Sequence, residues 1–172
     1  MQIKTIYLAG GCYWGVEHYV KMIKGVVATE VGFANGNVEN PTYEQVCSHE
    51  TGFAEAVRVD YDADILDLEV LLLLFYKIID PTSLNKQGED VGNQYRTGVY
   101  YVDGQDGDVI KRSLSLLAME YATPIVVEVE PLHNFYAAHD AHQDYLTKNP
   151  NGYCHVSSDL FAFIKQWSAD KK

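Results

Sequence analysis

The stretch IKTIYLAGGCYWGVEHYVKMIKGVVATEVGFA, residues 3–34, decides the fold. Residues 3–9 alternate and are rich in β-formers, which predicts a strand. Gly10 and Gly11 break it. Residues 13–23 then place Val16, Tyr19, Val20 and Ile23 on one helical face. Gly25 ends that helix, and 26–34 predicts a second strand.

Working outward, a loop rich in Asn, Gly and Pro follows, and residues 53–60 (FAEAVRVD) alternate as a third strand. Residues 67–79 (DLEVLLLLFYKII) predict a strongly apolar helix with Asp67 in its first turn. The segment 80–96 is polar and full of turn formers. Residues 97–103 predict a strand, and 107–121 a helix with Ile110, Leu114, Leu117 and Ala118 on one face. Residues 125–130 predict a last strand, and the tail holds a short helix around 138–147 and a terminal one near 158–168. The order β-α-β-β-α-β, then α-β and a tail, predicts an α+β fold. Its core would be a ferredoxin-like split βαβ unit, a two-layer sandwich with a mixed sheet and a long loop-rich C-terminal tail. Residues 1–172 read as one catalytic domain, with 131–172 as the tail. Such a fold hosts many functions and names none of them.

Composition narrows the field. An apolar fraction of 47% suits a globular chain, and the longest apolar run, Val70 to Tyr76, is too short for a bilayer. A net charge of −11 argues against broad nucleic-acid binding and against an anionic membrane surface. No basic segment precedes an apolar one near Met1, so the expectation is a cytoplasmic protein, read as a monomer. The three cysteines, Cys12, Cys47 and Cys154, are too few for a disulfide scaffold and show no C-x-x-C spacing.

Cys12 falls at the joint between a strand's end and a helix's start. A helix N-terminus presents unpaired N–H groups and a partial positive charge, and both favour the nucleophilic thiolate. Gly10 and Gly11 let the chain turn tightly beside it, and Tyr13 and Trp14 can wall an apolar substrate pocket. The same residues also fit a buried cysteine in a strand–helix turn with core aromatics, and the stretch alone leaves both open. A cysteine-dependent phosphatase is excluded: it needs an arginine soon after the cysteine, and the first arginine here is Arg58.

GGCYWGVE (10–17) resembles the nucleophile motif of the A-class peptide methionine sulfoxide reductases, usually written GCFWG. NPTYEQVCSHETGFAEAV (40–57), NKQGEDVGNQYRTGVYY (85–101), PLHNFYAAHDAHQDYL (131–146) and KNPNGYCHV (148–156) resemble further blocks of that family, in family order. The chain departs from the pattern at Tyr13 (usually Phe), at Phe53 (usually His), and at Ala137 and His139 (usually Pro and Glu).

The resemblance implies thiol-dependent reduction of methionine S-sulfoxide, in oxidised proteins or as the free amino acid. Cys12 would attack the sulfur, Glu55 would donate a proton to the oxygen, and Cys12 would become a sulfenic acid. A sulfoxide oxygen leaves poorly unless protonated, so an acid is needed, and Glu55 lies on an apolar strand between Ala54 and Ala56. The family match also singles out Tyr43 and Tyr95 to hold the oxygen and Asp90 to orient substrate and a water. It implies that Cys154 resolves the sulfenic acid as a Cys12–Cys154 disulfide and that thioredoxin reduces that bond. No metal or organic cofactor is expected. Two other readings stand beside this one. The chain could be a catalytically weakened methionine-binding module, or a metal-binding protein using His133, His139, His142, Cys154 and His155.

Overall fold

The computed structural model describes residues 1–48 and 50–171. The opening stretch folds as β1 (Ile3–Gly10), α1 (Tyr13–Val20) and β2 (Val26–Ala34). The helix stops at Val20, three residues short of its predicted end, and Lys21 to Ile23 turn instead towards Gly25, whose φ is +107°. A glycine takes that conformation without the steric cost a Cβ would carry. All the predicted face residues, Val16, Tyr19, Val20 and Ile23, are buried.

The loop after β2 contains a short helix, α2 (Tyr43–Cys47), that the loop reading of the sequence missed. Its signal is present in T-Y-E-Q. The Thr42 hydroxyl accepts the Gln45 N–H at 3.1 Å, and the Gln45 side chain accepts the Thr42 N–H at 2.8 Å, a capping box. β3 (Ala54–Asp62) and α3 (Leu68–Tyr76) follow, with Asp67 at the N-cap rather than in the first turn. The polar segment holds a small hairpin, β4 (Lys86–Gln87) and β5 (Asp90–Val91), and a single 3₁₀ turn at Asn93–Tyr95.

β6 (Thr97–Tyr101) leads to α4 (Gly104–Ala118), which starts three residues before its predicted start. Asp103 caps it by accepting the Gln105 N–H at 3.0 Å. Ile110, Leu114 and Leu117 are buried, whereas Ala118 is exposed at the frayed end. β7 (Glu128–Pro131) is not the last strand. A last short strand, β8 (Phe135–Ala137), precedes the region around 138–147, where the predicted helix is instead a 3₁₀ turn at Asp140–His142 and α5 (Tyr145–Lys148); α6 (Ser158–Asp170) follows. Asp144 at φ +52° breaks that helix, and the edge of β2 takes up the segment before it.

The strands form a six-stranded sheet in the order β7-β6-β1-β3-β2-β8. β6 and β7 are parallel and the other neighbours antiparallel, so the sheet is mixed and the fold α+β. Side chains alternate between its faces. Ile6, Leu8, Val57, Val59 and Val99 join Val16, Leu71, Phe75 and Ile110 of the helices in one large core. Tyr7, Ala9, Ala54, Ala56 and Tyr100 point the other way, under Leu132 and Phe135. The second layer there is thin, and the chain between β7 and β8 supplies it. No described helix is long and apolar enough to cross a membrane.

Candidate active site

The site forms where β1 ends and α1 begins. Gly11, at φ +88°, makes the turn, and a Cβ there would stand 2.7 Å from the Gln87 side chain. Cys12 then occupies the N-cap of α1 and is 7% exposed. The helix start does act on the sulfur, through the Trp14 backbone, but it loses to burial. Burial, reinforced by Glu55, pushes the thiol well above the ordinary cysteine range. Of the two readings the sequence leaves open, burial outweighs the helix start, and the raised pKa favours the thiol.

Glu55 lies on the same sheet face as Phe53 and Val57, opposite Phe33 of β2, and is 1% exposed. Its Oε1 accepts the Tyr13 backbone N–H at 3.3 Å, tying it to the residue after Cys12. Its Oε2 has no hydrogen-bond partner among the described residues. Burial dominates its titration, the Tyr13 N–H opposes and nearby Asp90 adds, so the carboxyl is pushed up to about 8. The Phe53 ring on that face is buried, edge-on to Tyr136 at 5.9 Å, and stands where a side chain on Gly36 would go.

Tyr43 and Tyr95 arrive from α2 and the 3₁₀ turn. Their hydroxyls lie within hydrogen-bonding reach of one another, and burial followed by Glu55 raises the pKa of each. Arg96 anchors this wall by donating to the carbonyls of Gly52 and Asn93, both at 2.9 Å. Asp90 lies on β5. Its carboxyl is raised by burial, with nearby Tyr153 opposing. Tyr153 was not singled out from the sequence, since among thirteen tyrosines nothing local marks it.

Tyr13 and Trp14 take different positions. Tyr13 is buried, its ring centroid 5.8 Å from Phe33, so it belongs as much to the core as to the pocket wall. Trp14 is half-buried. It stacks on Tyr145 at 3.7 Å and donates its indole N–H to His142 Nδ1 at 3.2 Å. His142 in turn stacks on Tyr43 at 5.0 Å. A cleft of about 550 Å³ opens here, lined by Phe33, Tyr43, Tyr136 and His142 among others.

The tail that carries His142 and Tyr145 is fastened by two residues the sequence reading passed over. Glu17, 2% exposed, accepts the Asp144 N–H at 2.7 Å and the Thr29 hydroxyl at 2.9 Å. Gln143 pairs with the Val31 backbone in both directions at 2.8 Å, as a strand neighbour would. An acidic residue beside Val16 on the apolar side of α1 was the available signal for Glu17.

Cys154 is half-buried against the first turn of α1, its Sγ 2.8 Å from where a Gly15 Cβ would stand. Burial raises its pKa, with the Val156 N–H opposing. Cys47 is half-buried rather than buried and reaches the Tyr43 side chain. All three cysteines are free. The metal-binding set does not assemble: His142 accepts from Trp14, and His139 accepts the Ala141 N–H at 3.3 Å. Among the described residues no three His, Cys, Asp or Glu could share an ion.

A buried thiol, an acid with an unused oxygen and a second thiol packed against the same helix turn can carry out thiol redox chemistry. The fold and site together thus define a cysteine-based oxidoreductase class. The chain belongs to the peptide methionine sulfoxide reductase family, whose family model matches residues 4–171. It is 58% identical over 157 residues to the peptide methionine sulfoxide reductase MsrA of Clostridium perfringens, covering 91% of this chain and 100% of that one. It superposes on reduced Mxr1 from Saccharomyces cerevisiae with a TM-score of 0.86 at 36% identity, covering 91% and 92% of the two chains. Mxr1 in complex with Trx2 matches at a TM-score of 0.61 and 26% identity, over 84% and 85%.

Proposed function

We propose that this chain reduces the S epimer of methionine sulfoxide, in oxidised proteins and as the free amino acid, through a Cys12 sulfenic acid. Glu55 carries the reading: an acid held neutral near pH 7, with one oxygen unused, bonded to the residue beside the nucleophile. The sulfoxide sits in the cleft with its oxygen towards Glu55, Tyr43 and Tyr95. Glu55 protonates the oxygen and is left as the carboxylate that takes the Cys12 proton. The sulfur of Cys12 bonds to the substrate sulfur, the hydroxyl passes to Cys12, and methionine leaves as the sulfide. Cys12 is oxidised by as much as the substrate is reduced. Asp90 orients substrate and water, and Tyr13 and Trp14 form the apolar wall.

Turnover on resolved epimers tests this reading. The expected result is reduction of methionine S-sulfoxide and none of the R epimer, because one side of the slot is apolar and the other polar. Equal rates on both would refute such a slot, and no turnover on either would favour a binding module.

Cys154 then attacks the sulfenic acid, and thioredoxin reduces the disulfide. Cys154→Ser is expected to release about one methionine per enzyme and stall with thioredoxin, while dithiothreitol restores turnover. Cys47→Ser should match wild type with either reductant. A Cys12–Cys47 bridge in peptide mapping after one turnover would overturn the assignment.

The same proposal takes residues 1–172 as one catalytic domain whose tail carries the resolving cysteine. The central strand order β6-β1-β3-β2 supports a ferredoxin-like description of its core. A cytoplasmic setting suits a cycle that must return to free thiols.

A further inference from the structure

His155 has no part in the scheme above, yet the fold places it inside the site. Its Cε1 stands 3.2 Å from the position of a Gly11 Cβ and 3.6 Å from that of a Gly15 Cβ. Gly11 precedes Cys12, and the Gly15 position is also the one that Cys154 Sγ approaches to 2.8 Å. The imidazole therefore lies beside the turn that carries one sulfur and shares a niche with the other. A Cβ at Gly11 would crowd the ring, and one at Gly15 would just touch it.

Both ring nitrogens are sealed from solvent, and among the described residues only the Gly10 backbone reaches the half-buried ring. Sealing two polar atoms with so little hydrogen bonding carries a desolvation cost that packing alone does not explain. The titratable groups on the elements around it are Cys12, Tyr13, Glu17 and His18 of α1, Lys86, Glu89 and Asp90 of the β4–β5 hairpin, and its neighbours Tyr153 and Cys154. None of these perturbs the imidazole. Burial lowers its proton affinity, the Gly10 backbone pulling weakly the other way, so the ring is neutral and free to accept a proton.

The resolving step needs such a group. Cys154 is a half-buried thiol with a raised pKa, and it must lose its proton to attack. The hydroxyl leaving Cys12 must gain one. We propose that His155 is the base of the resolving step, taking the proton from Cys154 and passing it to the departing hydroxyl. The step balances: a thiol and a sulfenic acid give one S–S bond and one water, with the Cys154 sulfur oxidised, the Cys12 sulfur reduced and the histidine returned unchanged. This rests on the reading that Cys12 and Cys154 form the disulfide.

The test is single turnover of the full chain with methionine S-sulfoxide and no reductant, from pH 6 to 9. Methionine release and appearance of the Cys12–Cys154 bridge are timed separately. In wild type the bridge should follow release closely at every pH. In His155→Gln and His155→Ala, bridge formation should fall about a hundredfold relative to release at pH 7. It should recover about tenfold per pH unit as hydroxide replaces the base, and added imidazole should rescue His155→Ala. Bridge formation at the wild-type rate in both variants would overturn the proposal. So would a slowing that neither pH nor imidazole changes, which would mean a packing role. A wild-type enzyme that releases methionine but forms no Cys12–Cys154 bridge would overturn the underlying reading, a result visible before any variant is made.

Discussion

A Cys12→Ser variant is expected to reduce no sulfoxide at all, even with excess dithiothreitol. Serine keeps the size and the N-cap geometry, so the fold should survive. The chemistry does not. A hydroxyl is a far weaker nucleophile towards sulfur than a thiol. Moreover, the serine counterpart of the sulfenic acid would be a peroxide, an O–O bond in place of an S–O bond. Dithiothreitol can replace Cys154, since it needs only to reach an oxidised Cys12, but it cannot replace Cys12. Methionine production above about a tenth of wild type would remove Cys12 from its role. The resting enzyme should also be slow to alkylate at neutral pH, because burial favours the thiol.

That last point shows where the sequence could be read and where it could not. Local pattern located the main strands, because period-two alternation in 3–9, 26–34 and 53–60 reports a sheet with two buried faces. It located Cys12 at a helix start. It could not weigh the helix N-terminus against the burial that opposes it, since the depth of the sulfur depends on α3, the β4–β5 hairpin and the tail closing over it. Glu55 shows the opposite outcome: flanking alanines on an apolar strand already imply a dry carboxyl.

The tail was the hardest part to read. Residues 138–147 carry helix-compatible residues, but β8 adds to the edge of β2 and Gln143 imitates one more strand neighbour. Tertiary pairing overrides local propensity there. His142 and Tyr145 gain meaning only once that pairing brings them over α1, where Glu17 fastens the tail. Trp14 becomes a stacked wall in the fold because Glu17 and Gln143 hold its partners in place.

Glu55→Gln is the second variant with a large expected effect, and it probes the acid rather than the nucleophile. The amide keeps the shape and can still accept the Tyr13 N–H, but it has no acidic proton to give. A loss of about 10²–10⁴-fold in kcat is expected, with KM little changed. A raised KM with kcat kept would contradict the assignment. The pH dependence gives a second readout. A carboxyl pushed up to about 8 stays protonated through neutrality and loses its proton above that value. Wild-type activity should therefore hold at neutral pH and fall as pH rises through about 8, and the residual activity of Glu55→Gln should lack that fall. Phe53 offers a test of what sets the position of the fall. Its ring is buried on Tyr136 beside Gly36, on the sheet face that carries Glu55. Phe53→His would place a polar ring, and at lower pH a cation, on the same sheet face. Both favour the carboxylate, so the alkaline limb should move to lower pH. A limb that stays in place would show that Phe53 fills space and leaves the proton of Glu55 alone.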